Sequence, residues 1–250
     1  MKNFPIYCIN LEHRKDRKEH TIEQFKKLNI NHDNVIYPHF IKDNRGGIYG
    51  VFDSHMKVWN DFFVKHPNQN YCLVFEDDFV IFENSKSIIK KAIDFIEKNY
   101  KDIDILFLHN LKVNVENNIN NKTFNNGYGI TACAYFINRH YIQSIITKYG
   151  KLPEPNGKHV DVELTMNNLD KDNWIYSEKI FFTNKPCIKQ LENSKSDNCN
   201  NSFDELFRQN TTLEHCVNTL TFIKKGRIMN DTQLKSLFSF IANTYSAAFF

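Results

Sequence analysis

The chain has 250 residues, of which 41% are hydrophobic, 14% aromatic and 24% charged, a balance that excludes a disordered or collagen-like polypeptide. Lys and Arg total 32 against 29 Asp and Glu, so the formal charge of +3 makes no electrostatic case for a nucleic-acid binder. That length is one large domain or two small ones, enough to bury a sizeable core.

Beta and alpha signals alternate from the start. Phe4–Ile9 is a short β-type apolar run, and Lys15–Leu28 is amphipathic with Ile22, Phe25 and Leu28 on one face. Val35–Ile41 reads as a second strand and Asn44–Gly47 as a turn. Val51–Val64 is helical, with Met56, Trp59, Phe62 and Phe63 at core spacing. Tyr71–Phe75 is almost wholly apolar, as strands buried on both faces of a parallel sheet are, and runs directly into Glu76–Asp77–Asp78. Ser87–Ile96 is a strongly amphipathic helix and Ile103–Leu108 another buried strand. Lys112–Asn126 is polar and asparagine-rich, a long surface loop that could close as a lid. Thr131–Ile137 reads as a strand, His140–Lys148 as a helix, Asp161–Leu169 as a short helix and Ile175–Phe182 as one or two strands. The last fifty residues read as helices around Phe203–Phe207, Leu213–Ile223 and Leu234–Tyr245.

This order predicts an α/β domain over residues 1–200, a mostly parallel central sheet flanked by helices, with a helical C-terminal extension over 201–250. No run reaches the ~20 apolar residues that span a bilayer. The uncharged tail Ser236–Phe250, with Phe238, Phe240, Tyr245, Phe249 and Phe250, has three readings. Burial on its own domain is favoured; a homodimer contact and a peripheral membrane surface are the others. The six cysteines form no CxxC pair, and several sit in apolar runs, so buried free thiols in a cytoplasmic or otherwise reducing compartment are expected. The apolar part of Met1–Asn10 is too short for a secretion signal, which agrees with that compartment.

Four polar clusters could carry chemistry. Three acids in a row after a buried strand repel one another, and a divalent cation relieves that repulsion. Hard carboxylate oxygens suit Mn²⁺ or Mg²⁺, with a diphosphate completing the shell. In an extended segment Glu76 and Asp78 would share a side, with Asp77 opposite. A solvated acidic turn is the plain alternative; after this strand the metal is favoured. The second cluster, Asn10 to Arg17, opens a helix beside arginines, a natural seat for phosphate or a polar base edge. The third, Gly50 to Lys57, holds a Ser54–His55 pair without a nucleophile elbow, so a ligand-facing patch or helix cap fits better than nucleophilic catalysis. The fourth, His159 to Glu163, follows a Pro/Gly loop. Asp161 and Glu163 are candidate general bases there and His159 a candidate ligand, against simple N-capping by Asp161. No P-loop or GxGxxG is present.

In this order the clusters resemble glycosyltransferase family 25, which includes lipooligosaccharide galactosyltransferases and collagen hydroxylysine galactosyltransferases. The matching pieces are Ile9–Arg17, Gly50–Trp59, Leu73–Asp78, Asp104–Leu108, Gly129–Ile137, His159–Leu164 and Pro186–Gln190 with Ser196–Asp197. The family often has a small residue or cysteine where Phe52 stands and an aromatic where Val162 stands. The resemblance implies a GT-A type fold and inverting, metal-dependent transfer of a hexose from a UDP-sugar, galactose first and glucose second. The acceptor would be a hydroxyl, such as collagen-like hydroxylysine or a glycan. Glu76–Asp78 looks like the family's variant of the DxD motif. Asp78 then matches the direct Mn²⁺ ligand, and Glu76 or Asp77 would meet the ribose or an ion-bound water, Glu76 being the second candidate ligand. Asn10, Arg14 and Arg17, and Ser54, His55 and Lys57, match motifs that face the donor. His159 or His215 is left as a further ligand. Asp161 is the expected base, with Glu163 second. The rival readings are a catalytically silent glycan- or protein-binding relative and a metal-dependent nuclease.

Overall fold

The computed structural model describes residues 4–108, 112–114, 123–129, 132–149, 160, 179–183 and 187–191. The chain divides into two units, Met1–Asn167 with Ser177–Cys199 and Asn168–Tyr176 with Asn200–Phe250, and every described residue belongs to the first. The expected helical extension over 201–250 and its aromatic tail therefore lie outside the described residues.

The elements run β1 (Ile6–Ile9), α1 (Lys15–Lys27), β2 (Val35–Ile36), α2 (Gly47–Lys65), β3 (Tyr71–Glu76), β4 (Phe79–Ile81), α3 (Ser85–Asn99), β5 (Ile105–Phe107), β6 (Lys112–Asn114), β7 (Phe124–Gly129), β8 (Ala134–Asn138), α4 (Arg139–Tyr149), β9 (Ile180–Thr183) and β10 (Ile188–Gln190). Eight strands form one sheet in the order β2-β1-β3-β8-β5-β9-β7-β6, and β4 pairs with β10 in a separate ribbon. Six of the eight point the same way; β8 and β7 are reversed. The α/β class and the mostly parallel sheet are as the alternating pattern indicates.

The period of two along each strand sorts side chains onto two cores. Ile6 and Cys8, Leu73 and Phe75, Leu106, and Ala134 and Phe136 face one side, where they meet Phe25 and Leu28 of α1 and the isoleucine stripe of α3. Tyr7, Cys72 and Val74, Ile105 and Phe107, and Tyr135 and Ile137 face the other, against Phe52, Met56, Trp59 and Phe62 of α2 and Ile142 and Ile145 of α4. The result is three layers, helices on both faces of the sheet. Burying one such Phe, Leu or Ile side chain contributes about 1.5–3 kcal/mol, so the layers are held mainly by these two faces.

Several boundaries differ from the sequence pattern. The second strand stops at Ile36 and leaves one isolated bridge between Leu11 and Phe40, because Pro38 has no amide to continue the ladder. Helix α2 starts at Gly47, ahead of Val51, after Gly46 at φ +122°, a conformation suited to glycine. Part of the expected loop Lys112–Asn126 is strand: β6 and β7 pair antiparallel. Strands β4 and β10 are too short to show in hydrophobic periodicity. Cys8, Cys72, Cys133 and Cys187 are buried free thiols, as expected. Among the described residues no helix is long and apolar enough to cross a membrane.

Candidate functional site

The site lies where the sheet changes direction. Strands β1 and β3 are parallel neighbours with Ile9 opposite Glu76. From β1 the chain turns outward through α1 to β2, whereas it enters β3 from α2, which packs on the opposite face. The crevice beyond the carboxyl ends of two such strands is where open α/β sheets bind ligands. Here it is a cleft enclosing about 700 Å³ of empty space, mouth included. Its lining includes Arg14, Arg17, Lys42, Ser54, His55 and the whole Glu76–Asp77–Asp78 run.

Strand alternation and the end of β3 decide where the three acids go. Glu76 continues the face of Cys72 and Val74 and meets α2, with Oε1 3.1 Å from His55 Nε2. Asp77 turns to the α1 face. It accepts from Arg17 Nη1 at 2.9 Å and from Asn10 Nδ2 at 2.8 Å. The strand ends at Glu76, and Asp77–Asp78 form a turn, so strand alternation no longer sets the direction of Asp78. Its Oδ2 lies 3.7 Å from Arg17, and its Oδ1 accepts from the Cys133 thiol at 3.9 Å. Asp77 and Asp78 thus bracket Arg17, while the Glu76 charge also acts on Asp78. The turn is fixed from below by Leu191 N–H donating to Asp78 O at 2.6 Å and by the β4–β10 ribbon. It is fixed from α1 by Gln24 accepting from Ile81 N–H at 3.1 Å.

Burial and mutual repulsion perturb these groups strongly. Burial, then the neighbouring Asp77 charge, raises Glu76 to about 7. Burial, then Glu76 and Asp77, raises Asp78 to about 7, and Arg17 offsets only part of this. His55 is fully buried, and desolvation lowers it to about 3, so its imidazole is neutral at pH 7. Asp77 and Asp78 pair with Arg17, a residue only 5% exposed, and the Arg17 charge also acts on Glu76. Arg14 lines the cleft but forks onto Asp16, with Nε–Oδ1 at 2.9 Å and Nη2–Oδ2 at 2.8 Å.

Other candidates separate. Ser54 lines the cleft, its hydroxyl donating to Gly50 O at 2.7 Å within α2. Lys57 is exposed and is not among the cleft residues. Asp161, Glu163, His159 and His215 lie outside the described residues, although Val160 between His159 and Asp161 is buried in the α2–α4 core. Sequence reasoning passed over Trp59 and Tyr135, which share the His55 hydrogen-bond network, because Trp59 reads as core by its helical spacing and Tyr135 as part of a buried strand. It also passed over Lys42 and Asp43, which line the mouth without a motif around them.

No family model matches the chain, and no curated protein matches it. Among solved structures it is similar to the crystal structure of a glycosyltransferase involved in the glycosylation of the major capsid of PBCV-1. The identity there is 13%, over 64% of this chain and 74% of that one, with a TM-score of 0.40.

The donor set can be tested for a divalent ion on its own chemistry. Among the described residues no three carboxylate, imidazole or thiol groups converge as a complete cage. Glu76 and Asp78 are two hard oxygen donors that burial penalises when ionised without a cation. Mg²⁺ and similar ions are commonly held by one or two carboxylates plus substrate phosphates. Two carboxylates in a cleft that also presents Arg14, Arg17 and Lys42 to phosphate oxygens fit that arrangement.

Proposed function

We propose that this chain is a glycosyltransferase that takes a hexose from a nucleoside diphosphate sugar and passes it to a hydroxyl acceptor. The observation that carries the reading is the pair of cation-seeking carboxylates, Glu76 and Asp78, beside buried Arg17 at the switch point between β1 and β3. In support, Arg14, Arg17, Ser54, His55 and Glu76–Asp78, from the first three clusters that resemble family 25, line this same cleft. UDP-galactose is the first donor to test and UDP-glucose the second. Acceptor hydroxyls of collagen-like hydroxylysine or of a glycan follow from the same resemblance.

Each group has a role in this reading. Glu76 and Asp78 would hold Mn²⁺ or Mg²⁺, which supplies Lewis-acid help to the leaving diphosphate. Arg17 is held by Asp77, which Asn10 holds in turn, so it adds positive charge to the cleft at a set position without reorganising. Inversion requires a base on the acceptor side, and Asp161 is assigned that role, with Glu163 second. The decisive experiment incubates the chain with UDP-galactose, UDP-glucose and other UDP-sugars plus Mn²⁺ and reads free UDP. Release with one donor that disappears in Asp78→Asn supports the reading. Absence of both UDP release and UDP binding across the series overturns it.

A further inference from the structure

Beneath Glu76 lies a chain of buried polar groups that none of the roles above uses. Trp59, Tyr135 and His55 are each fully buried, in a core that is otherwise apolar. Trp59 Nε1 lies 3.1 Å from the Tyr135 hydroxyl, which lies 2.6 Å from His55 Nδ1. The other ring nitrogen, Nε2, lies 3.1 Å from Glu76 Oε1. Tyr135 stacks on His55 with ring centroids 5.7 Å apart and planes 22° apart, and Trp59 tilts against the same imidazole at 5.8 Å.

The chemistry of these groups gives the chain a single direction. An indole N–H only donates, so Tyr135 must accept from Trp59. Its one O–H is then left to donate, and it points to Nδ1. Nδ1 therefore accepts, and a neutral imidazole that accepts at Nδ1 carries its proton on Nε2. That proton faces Oε1 of Glu76. Every link is satisfied in this sense, as buried polar groups must be. In the opposite sense Nδ1 would donate to the Tyr135 oxygen, which would then accept twice, from His55 and from Trp59, and leave its own O–H a buried donor unmet.

We propose that Trp59, Tyr135 and His55 form a positioning relay that sets the His55 tautomer and thereby holds Oε1 of Glu76, leaving Oε2 as the oxygen Glu76 offers to the ligand in the cleft. The proposal rests on the reading of Glu76 as part of a nucleoside diphosphate and cation site. It adds that Glu76 acts through one oxygen, aimed from the core of α2 and β8. His55, Tyr135 and Trp59 are positioning residues in this scheme, and outer partners of this kind typically change metal affinity or activity by about 10–100-fold.

Two measurements test it independently. First, ¹⁵N-histidine NMR on the ligand-free full chain at neutral pH reads the tautomer directly. The expected result is a proton on Nε2 of His55, a shift of that N–H signal in Glu76→Gln, and loss of the single tautomer in Tyr135→Phe. A proton on Nδ1, or on both nitrogens, overturns the relay, as does a tautomer indifferent to Tyr135→Phe. Second, calorimetry with UDP plus Mn²⁺ compares two variants that each keep half of the imidazole. The amide nitrogen of His55→Gln can replace the Nε2 donor. The amide oxygen of His55→Asn can replace the Nδ1 acceptor but leaves Glu76 unheld. Affinity is expected to fall by about 10–100-fold in His55→Asn and Tyr135→Phe, and by clearly less in His55→Gln. Equal losses in the two His55 variants, with all variants melting cooperatively, overturn the positioning role. Should the wild-type chain bind no UDP at all, the proposed function fails while the NMR result still decides the relay.

Discussion

The acidic turn after β3 is expected to cost the protein stability, and replacing Asp78 by Asn measures that cost. Asp78 is raised from the ordinary carboxylate value of 3.8 to about 7, by burial first and then by Glu76 and Asp77. A shift of that size corresponds to about 4 kcal/mol between the two protonation states. The side chain is 22% exposed, so solvent screening reduces the net effect to about 2 kcal/mol. The sign follows from linkage: the folded state binds the proton more tightly than the unfolded state, so wild-type stability is lost as pH rises from about 4 through about 7. Asparagine does not ionise and keeps the same shape. Asp78→Asn should therefore melt at the wild-type temperature near pH 4 and about 4–8 °C higher at pH 8. Circular dichroism melts at four pH values between these limits provide the assay. Added Mn²⁺ should raise the wild-type melting temperature at pH 8 and leave Asp78→Asn unmoved, since only an ion bound to the folded state stabilises it. A variant no more stable than wild type at pH 8, or a gap that does not change with pH, would refute the account of a charge held at the expense of stability.

Asp77 should behave in the opposite way. Asp77→Ala takes the 2.9 Å partner from buried Arg17, so a loss on the order of 3 kcal/mol is expected by urea denaturation, and an unchanged midpoint would contradict the bracket around Arg17. Gly46 has φ +122° with open space where a Cβ would stand. Gly46→Ala should lower stability by about 1–3 kcal/mol through backbone strain alone, read as a lower melting temperature with unchanged far-UV signal. Asp161→Ala should fold normally and bind UDP, yet lose most of the transfer rate, because general-base help is worth about 10²–10⁴-fold. Near-normal kcat in that variant would move the base to Glu163 or elsewhere.

The layout of the fold was legible in the sequence because it follows from periodicity. The 3.6-residue stripe Ile88, Ile89, Ala92, Ile93 and Ile96 can bury its apolar face only as a helix, and α3 buries those residues. The almost wholly apolar run before Glu76 reads as a strand covered on both faces, and it is the third strand inward in the sheet. Those local constraints also marked the acidic triplet at a strand end as the place to look. They did not give strand order, since β8 enters between β3 and β5 in the reverse direction from far along the chain, and no local signal encodes that insertion.

What the residues alone determined is the alternation of the longer helices and strands, without β4, β6, β7 and β10, and the end of the sheet where charge collects, because hydrophobic spacing and a run of three acids act within a few residues. Tertiary structure alone decided which acid meets which partner. Arg17 and Asp77 are separated by 60 positions, and His55 and Tyr135 by 80. Packing α1 and α2 on opposite faces of neighbouring strands brought them together. Direction, charge state and hydrogen-bond sense at the cleft depend on that meeting, since electrostatic and hydrogen-bond energies are set by distance in space and not by distance along the chain.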